Sequence, residues 1–264
     1  LTNLILFGLV NIHQGYKKQR HMVHTLKAPV QPISFDLDEL NQRFEGAHPR
    51  EILAWCINNM RQGLVQSTAF GVTGMVIMDM LYRDLQPNPP VPVIFVDTLH
   101  HFQETLDLVA KSKAHYNLDL YIYKNREASD RDEFAHQHGY ALWHKDVHQF
   151  HVLTKVEPFQ RAMDELNVKA WINGRRRDQA STRAEIPIFE IDKHGRLKIN
   201  PLACWTRKET WKYVFDYGVP YNVLHDQGYA SIGDEPLTTP VAHGEHERAG
   251  RWRDSDKTEC GLHI

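Results

Sequence analysis

The stretch Gln66-Ser67-Thr68-Ala69-Phe70-Gly71-Val72-Thr73-Gly74 joins two kinds of periodicity. Gln66–Phe70 reads as a strand, a glycine-bounded turn follows, and Val72, Val76, Ile77, Met80 and Leu81 then recur on one helical face. Small and hydroxylated residues at such a junction leave backbone N–H groups free at a helix N-terminus, where the dipole favours an anion. The stretch is not a Walker A loop, since no lysine follows the second glycine, and it is not a GxGxxG fingerprint. A plain strand-to-helix turn would use the same residues, so the pattern alone leaves both readings open.

Outward from this junction the strand and helix signals alternate. Pro49 opens a helical stretch in which Ile52, Leu53, Trp55, Cys56 and Met60 recur at helical spacing. Downstream, Pro87, Pro89 and Pro90 end the helix, and Val91–Val96 has the β-branched look of a buried parallel strand. Phe102, Leu106, Val109 and Ala110 mark the next helix, and Leu118–Tyr123 the next strand. Glu157–Leu166 predicts a helix, Ala170–Asn173 and Pro187–Ile191 predict strands, and Thr206 with Glu209 forms a capping box before Trp211. This alternation predicts an α/β fold with a doubly wound, mostly parallel, Rossmann-like sheet. Residues 22–48 read as a loose arm with one amphipathic piece, Asp36–Phe44, and the polar stretch from Tyr229 onward as a functional tail.

The chain has 264 residues with 31 Lys and Arg against 33 Asp and Glu, a formal charge of −2 that gives no basic excess for bulk nucleic-acid binding. Its 42% hydrophobic content suffices for a core. Three scattered cysteines, Cys56, Cys204 and Cys260, supply neither a disulfide framework nor a zinc knot and fit a reducing, cytoplasmic setting. The apolar run Leu4–Val10 is too short to span a bilayer. Residues 1–21 precede the first methionine, Met22, and are read as an upstream extension or gene-model artefact.

Chemistry concentrates where strands end. Asp97-Thr98 closes Val91–Val96 at a position where α/β sheets bind ligands, though an aspartate there also caps helices. Gly174-Arg175-Arg176-Arg177-Asp178-Gln179-Ala180-Ser181-Thr182-Arg183 follows a strand and holds four arginines within nine residues, guanidinium forks suited to phosphate or sulfate oxygens. Such a run is ordinarily a solvated face, and its strand-end placement is what raises the anion-site reading. Cys56 and Cys204 have apolar neighbours, whereas Cys260 sits among polar and cationic residues beside Gly261, a setting that exposes a thiolate. Seventeen histidines include the pairs His136/His138 and His148/His151, but no cysteine or carboxylate pattern completes a tetrahedral metal set.

Together these segments resemble the assimilatory sulfonucleotide reductases, and among them the phosphoadenosine phosphosulfate (PAPS) reductases of fungal flavour, from about Pro49 to Ile264. The ending Thr258-Glu259-Cys260-Gly261-Leu262-His263 is the most specific mark. The resemblance implies an adenine nucleotide alpha hydrolase (PP-loop) sheet, residues 49–228, preceded by an extension and arm, 1–48, and followed by a mobile catalytic tail, 229–264. It implies a pyrophosphate loop in which Ser67, Thr68, Ala69, Phe70, Gly71, Thr73 and Gly74 bind substrate. Asp97 and Thr98 match the strand-end motif, although Leu99-His100 stands where many bacterial members have glycine. Gly174, Arg175, Arg176, Arg177, Gln179, Ser181 and Arg183 match the arginine loop, and Lys155-Val156-Glu157-Pro158 a KVEP motif whose lysine is expected to face the phosphosulfate. Arg248 and Arg251 match substrate-contacting arginines, Cys260 the nucleophile and His263 a histidine near it.

The resemblance also separates two branches. The adenylyl-sulfate branch carries an iron–sulfur cluster on a Cys-Cys pair upstream of KVEP and on the two cysteines of Ser-Ile-Gly-Cys-x-x-Cys. Here Phe150-His151 stands at the first place, and Asp234 and Leu237 at the second. Three separated cysteines cannot supply four ligands, so the cluster-free PAPS branch is expected, with no bound cofactor and no metal. The implied reaction reduces PAPS to sulfite and adenosine 3′,5′-bisphosphate through a Cys260 S-sulfonate. An external thioredoxin or glutaredoxin serves as reductant, in a homodimer with no nucleic-acid or membrane partner. The competing readings are an ATP-using PP-loop adenylyltransferase or synthetase, disfavoured because Ala69–Gly74 lacks the acidic residue of a Ser-Gly-Gly-x-Asp-Ser loop, and a non-catalytic nucleotide-binding relative.

Overall fold

In the computed structural model the described residues are 35–253, 257, 259, 261 and 262. The chain divides into two units, 1–31 and 32–264, and all described residues lie in the second. The extension at 1–21 and the first part of the expected arm, residues 22–34, lie outside the described residues.

Two short helices lead in. In α1 (Leu37–Phe44) Asp36 caps the N-terminus by accepting from Asp38 N and Glu39 N, and Leu40 and Phe44 face inward. In α2 (Pro49–Asn59) proline takes the first turn, where no N–H is needed, and His48 Nδ1 accepts from Arg50 N. The sheet is then built from β1 (Leu64–Ser67), β2 (Val93–Asp97), β3 (Leu120–Lys124), β4 (Ala170–Ile172), β5 (Phe189–Ile191) and β6 (Leu197–Ile199). Its spatial order is β3-β2-β1-β4-β6-β5, parallel throughout except for the antiparallel β5–β6 pair. Leu64 pairs with Ala170 and Gln66 with Ile172 on one side of β1, and Gln66 with Val93 on the other.

Because β1 connects to β2 on one side while β4 lies on the other, the chain reverses its direction of travel across the sheet between β1 and β4. A crevice must open at their carboxyl ends. The mostly parallel α/β sheet expected from the alternating pattern is therefore present. The first strand begins and ends earlier than Gln66–Phe70, because Thr68–Gly71 is the turn itself. The β6 strand was not expected. Its three residues, Leu197-Lys198-Ile199, are too few to show a period, and a hairpin with β5 places them.

Helix α3 (Val72–Asp79) follows β1 and is buried on nearly every side, with Met75, Val76, Ile77 and Met78 fully enclosed; it continues as a π-helical turn over Met80–Leu85. Helix α4 (Gln103–Tyr116) links β2 to β3 and ends on Asn117 in the left-handed region. Helices α5 (Arg131–His138), α6 (Leu142–Lys145) and α7 (Val147–His151) form a side layer around Phe134 and Phe150. A π-helical turn, Val152–Val156, carries α7 into α8 (Glu157–Glu165), whose Phe159, Ala162 and Met163 pack on Val65, Ile94 and Trp171 of the sheet. Helix α9 (Arg207–Tyr217) starts at the expected Thr206/Glu209 capping box and stops at Gly218, φ +63°.

The polar stretch from 229 is less tail-like than its composition. Asp234 is fully buried, and Thr238 and Trp252 are nearly so. Residues 229–253 pack into the body because their few apolar and neutralised residues find partners there, which hydropathy along the chain does not reveal.

Candidate active site

A cleft of about 230 Å³ opens at the carboxyl ends of β1 and β4. Its floor is the loop after β1. Gly71 caps α3 with no side chain of its own, so the first N–H groups of the helix are left for a ligand. Two glycines make the loop possible. A Cβ on Gly74 would overlap Thr68 Oγ1, and one on Gly174 would overlap Thr73 Oγ1, so the loops after β1 and β4 close on each other only as written. Thr68 Oγ1 also accepts from Phe70 N at 2.9 Å, tightening the turn.

Ser67, Thr68, Ala69, Gly71, Thr73 and Gly74 line the cleft. Phe70 does not: at φ +57° it turns under the loop and packs edge-on against Phe95, fully buried. Gly174, Arg175, Arg176, Gln179 and Arg183 of the arginine loop also line it, as do Arg248 and Arg251. Arg177 faces the opposite way and pairs with Glu45, Nη1 to Oε1 at 2.5 Å. Ser181 lines a neighbouring groove with Arg248, Arg251 and Lys257. Asp97 is outside the lining and caps its own turn, Oδ1 accepting from Leu99 N at 2.9 Å. Thr98 is buried and donates to Asp234 Oδ1 at 2.8 Å, and Lys155 Nζ lies 2.5 Å from Asp234 Oδ2. Cys260 and His263 lie outside the described residues.

The cleft is strongly cationic. Among the described residues lining it are six arginines, one glutamate and no aspartate. Arg175 donates from Nε to Asn200 Oδ1 and pairs with Glu190, while Arg176 pairs with Asp178 and with Glu247, each at 2.8 Å. Arg251 donates to Ile232 O at 3.2 Å and sits over the Trp252 ring, 4.5 Å from its centroid; Arg248 sits over the same ring at 5.4 Å.

On the tail side, Glu259 receives Arg183 Nε and Nη2 at 2.7 and 2.5 Å, with Arg248 Nη2 at 3.5 Å. Burial would raise its carboxyl, but Arg183 and Arg248 hold it below the usual range. Leu262 lines the cleft, and Gly261 lies against Val156.

Sequence reasoning did not single out Arg207, Trp211, His225, Ser231 or Glu247 as lining residues. Glu247 adjoins Arg248 and Ser231 belongs to the Ser-Ile-Gly stretch, so a signal existed for those two. For Arg207, one residue past a helix cap, and for His225 there was none. Burial holds His225 below its ordinary value, and its Nδ1, 2.6 Å from Tyr229 O, faces a carbonyl that can only accept, so Nδ1–H donates. The two places where the resemblance expects cluster cysteines meet in space. Phe150 and Leu237 pack in one apolar cluster, and His151 Nε2 lies 3.5 Å from Asp234 Oδ2.

Residues 63–240 match the phosphoadenosine phosphosulfate reductase domain family. A phosphoadenosine phosphosulfate reductase of Emericella nidulans is 47% identical over 229 residues, covering 86% of this chain and 74% of its own. An adenosine 5′-phosphosulfate reductase of Salinibacter ruber is 42% identical, covering 86% of this chain and 88% of its own. Among solved structures, the phosphoadenylyl-sulfate reductase of Candida auris, a phosphate complex, superposes with a TM-score of 0.71 at 42% identity, over 80% of this chain and all of that one.

Proposed function

The chain belongs to the phosphoadenosine phosphosulfate reductase family, and from that premise we propose that it reduces PAPS to sulfite by way of Cys260. The observation that carries this reading is where the chain neighbours of Cys260 stand. Glu259 is gripped by Arg183 and Arg248 at the edge of the cationic cleft, and Leu262 lines it.

PAPS presents a sulfonate joined to a phosphate, and a thiolate approaching it meets concentrated negative charge. Guanidinium groups fixed beforehand around the sulfonate remove that repulsion and stabilise the charge that moves onto the leaving phosphate. Arg183, Arg248 and Arg251 take this role at the tail end, and Lys155, held by Asp234 outside the cleft lining, is the further cation of the site. The loop Ser67–Gly74 and the N-terminus of α3 bind phosphate, and Gly174, Arg175, Arg176 and Gln179 close the other wall. The thiolate of Cys260 attacks sulfur, the S–O bond to phosphate breaks, and adenosine 3′,5′-bisphosphate leaves with the electron pair. A thiolate of an external dithiol, thioredoxin or glutaredoxin, then attacks Cys260 Sγ and releases sulfite. The second thiol resolves the mixed disulfide, so the reductant leaves oxidised and Cys260 is regenerated. His263 serves beside the nucleophile.

The same reading takes the enzyme to work without an iron–sulfur cluster, since phenylalanine, histidine, aspartate and leucine fill the four places where thiolates would be needed. It also takes the protein to be a cytoplasmic homodimer; no described helix is long and apolar enough to cross a membrane. Mass spectrometry of the protein mixed with PAPS and no reductant tests the central step. A sulfonate adduct on Cys260 is expected, and its absence under conditions where bisphosphate is released would overturn the assignment.

A further inference from the structure

Asp234 is fully buried, yet it makes more polar contacts than a core residue needs. Its Oδ2 meets Lys155 Nζ at 2.5 Å, and its Oδ1 accepts from Thr98 Oγ1 at 2.8 Å. His151 Nε2 stands 3.5 Å from Oδ2, outside hydrogen-bond geometry. The backbone is tied as well: residue 234 bridges to His101, Glu235 N donates to His100 O at 2.7 Å, and Thr238 Oγ1 donates to Asp234 O at 2.8 Å. One residue earlier, Gly233 lies flush against the guanidinium of Arg251, which lines the cleft. A single buried carboxylate thus joins the end of β2, the helical turn carrying Lys155, and the loop that grips Arg251.

The charge state of this cluster is settled by its neighbours. Burial alone would push the Asp234 carboxyl up, but Lys155, His151 and His101 hold it well below the usual carboxylate range. A buried ion pair of this kind adds little stability over well-packed apolar residues of similar volume. Apolar packing is at hand here, since Phe150 and Leu237 already fill the adjoining space. The pair therefore calls for a reason beyond stability.

We propose that Asp234 is a positioning residue for sulfonate reduction, fixing Lys155 and the Gly233–Arg251 contact so that both cations meet the sulfur end of the substrate in one geometry. This rests on the PAPS reductase reading. Neither Asp234 nor Lys155 lines the nucleotide cleft, and adenosine 3′,5′-bisphosphate lacks the sulfonate that Lys155 and Arg251 are fixed to meet, so loss of the carboxylate acts on turnover far more than on bisphosphate affinity.

The test compares wild type with Asp234→Asn. It measures sulfite release with a dithiol reductant and the Kd of adenosine 3′,5′-bisphosphate by calorimetry. In Asp234→Asn kcat is expected to fall at least tenfold while the bisphosphate Kd stays within threefold. Wild-type kcat, or kcat and Kd deteriorating together, overturns the proposal. Should Asp234→Asn fail to fold, Asp234→Glu replaces it, keeping the pair charged but displacing the ammonium by about one methylene. A lowered kcat at unchanged Kd supports the proposal, and an unchanged kcat sinks it. A wild-type protein that binds the bisphosphate but never reduces PAPS counts against the function itself.

Discussion

The Glu259 carboxylate lies across the fork of Arg183, with Thr182 Oγ1 at 3.1 Å completing its shell. Arg183 has committed Nε and Nη2 to this contact and Nη1 to Gln179 Oε1. Any incoming anion that uses Arg183, phosphate or sulfonate, must share that guanidinium with Glu259. Glu259→Gln keeps the shape and removes the charge, so adenosine 3′,5′-bisphosphate should bind tighter by about threefold to tenfold, the worth of one charge-assisted contact. Turnover should fall, because the residue next to Cys260 loses its anchor. Calorimetry and sulfite release measured side by side check both signs, and an unchanged Kd would mean that the carboxylate does not compete with ligand.

Gly233 and Gly250 are both closed to a side chain, but for different reasons. A Cβ on Gly233 would overlap the guanidinium of Arg251, the far end of a flexible chain that can swing aside. A Cβ on Gly250 would overlap the carbonyl oxygen of Thr239, which is held by backbone hydrogen bonds between the two segments. Gly233→Ala is therefore expected to leave the unfolding midpoint nearly unchanged and to raise the KM for PAPS by about tenfold through a displaced Arg251. Gly250→Ala is expected to lower the midpoint by several degrees, as backbone overlap demands. Thermal unfolding and steady-state kinetics on the pair separate the two outcomes.

The alternating strand and helix periods made the parallel sheet legible, and the Thr206/Glu209 capping box and Pro49 marked helix starts that the structure keeps. The cleft loops were legible only as candidates, because a plain strand-to-helix turn uses the same glycine and hydroxyl residues and only the family resemblance favoured a phosphate. What sequence could not supply was direction. Arg175, Arg176 and Arg177 are consecutive, yet Arg177 opens the short helical turn Arg177–Gln179 and turns away to pair with Glu45, so only the first two line the cleft. Nor could composition show that Asp234 and Lys155, 79 residues apart, neutralise each other inside the body.

That reversal of direction gives a prediction of its own. Arg177 pairs with Glu45, holding its carboxyl below the usual range, at a surface where the two side chains remain 31% and 53% exposed. Exposed pairs contribute roughly 0–1 kcal/mol. Arg177→Ala should therefore leave bisphosphate affinity and turnover within twofold of wild type and cost at most ~1 kcal/mol in denaturant unfolding. Arg176→Ala, which removes a cleft cation, should weaken the bisphosphate by about tenfold or more. Equal losses in the two variants would put Arg177 back in the site.

His151 gives the chain a pH dependence of defined sign. Burial pushes its imidazole down to about 4 from 6.5, against the pull of Asp234, while Lys155 and Lys257 reinforce the shift. In the unfolded chain the ring takes up a proton as pH falls through 6.5, whereas the folded chain resists until about 4. Stability from this group is thus complete above pH 6.5 and drains away between 6.5 and 4, by ~3 kcal/mol for a displacement of that size. Asp234 and Glu259 are both held below their ordinary values, so their own losses come at the acid end of the window or below it. His151→Phe removes the titrating ring and keeps an aromatic edge toward Trp252, which it now meets at 6.0 Å. Urea unfolding at pH 6.5, 5.5 and 4.5 should give a shallower fall in stability for His151→Phe than for wild type. Parallel slopes would mean that the ring is protonated in the folded chain, and that Asp234 is shared between two cations instead of one.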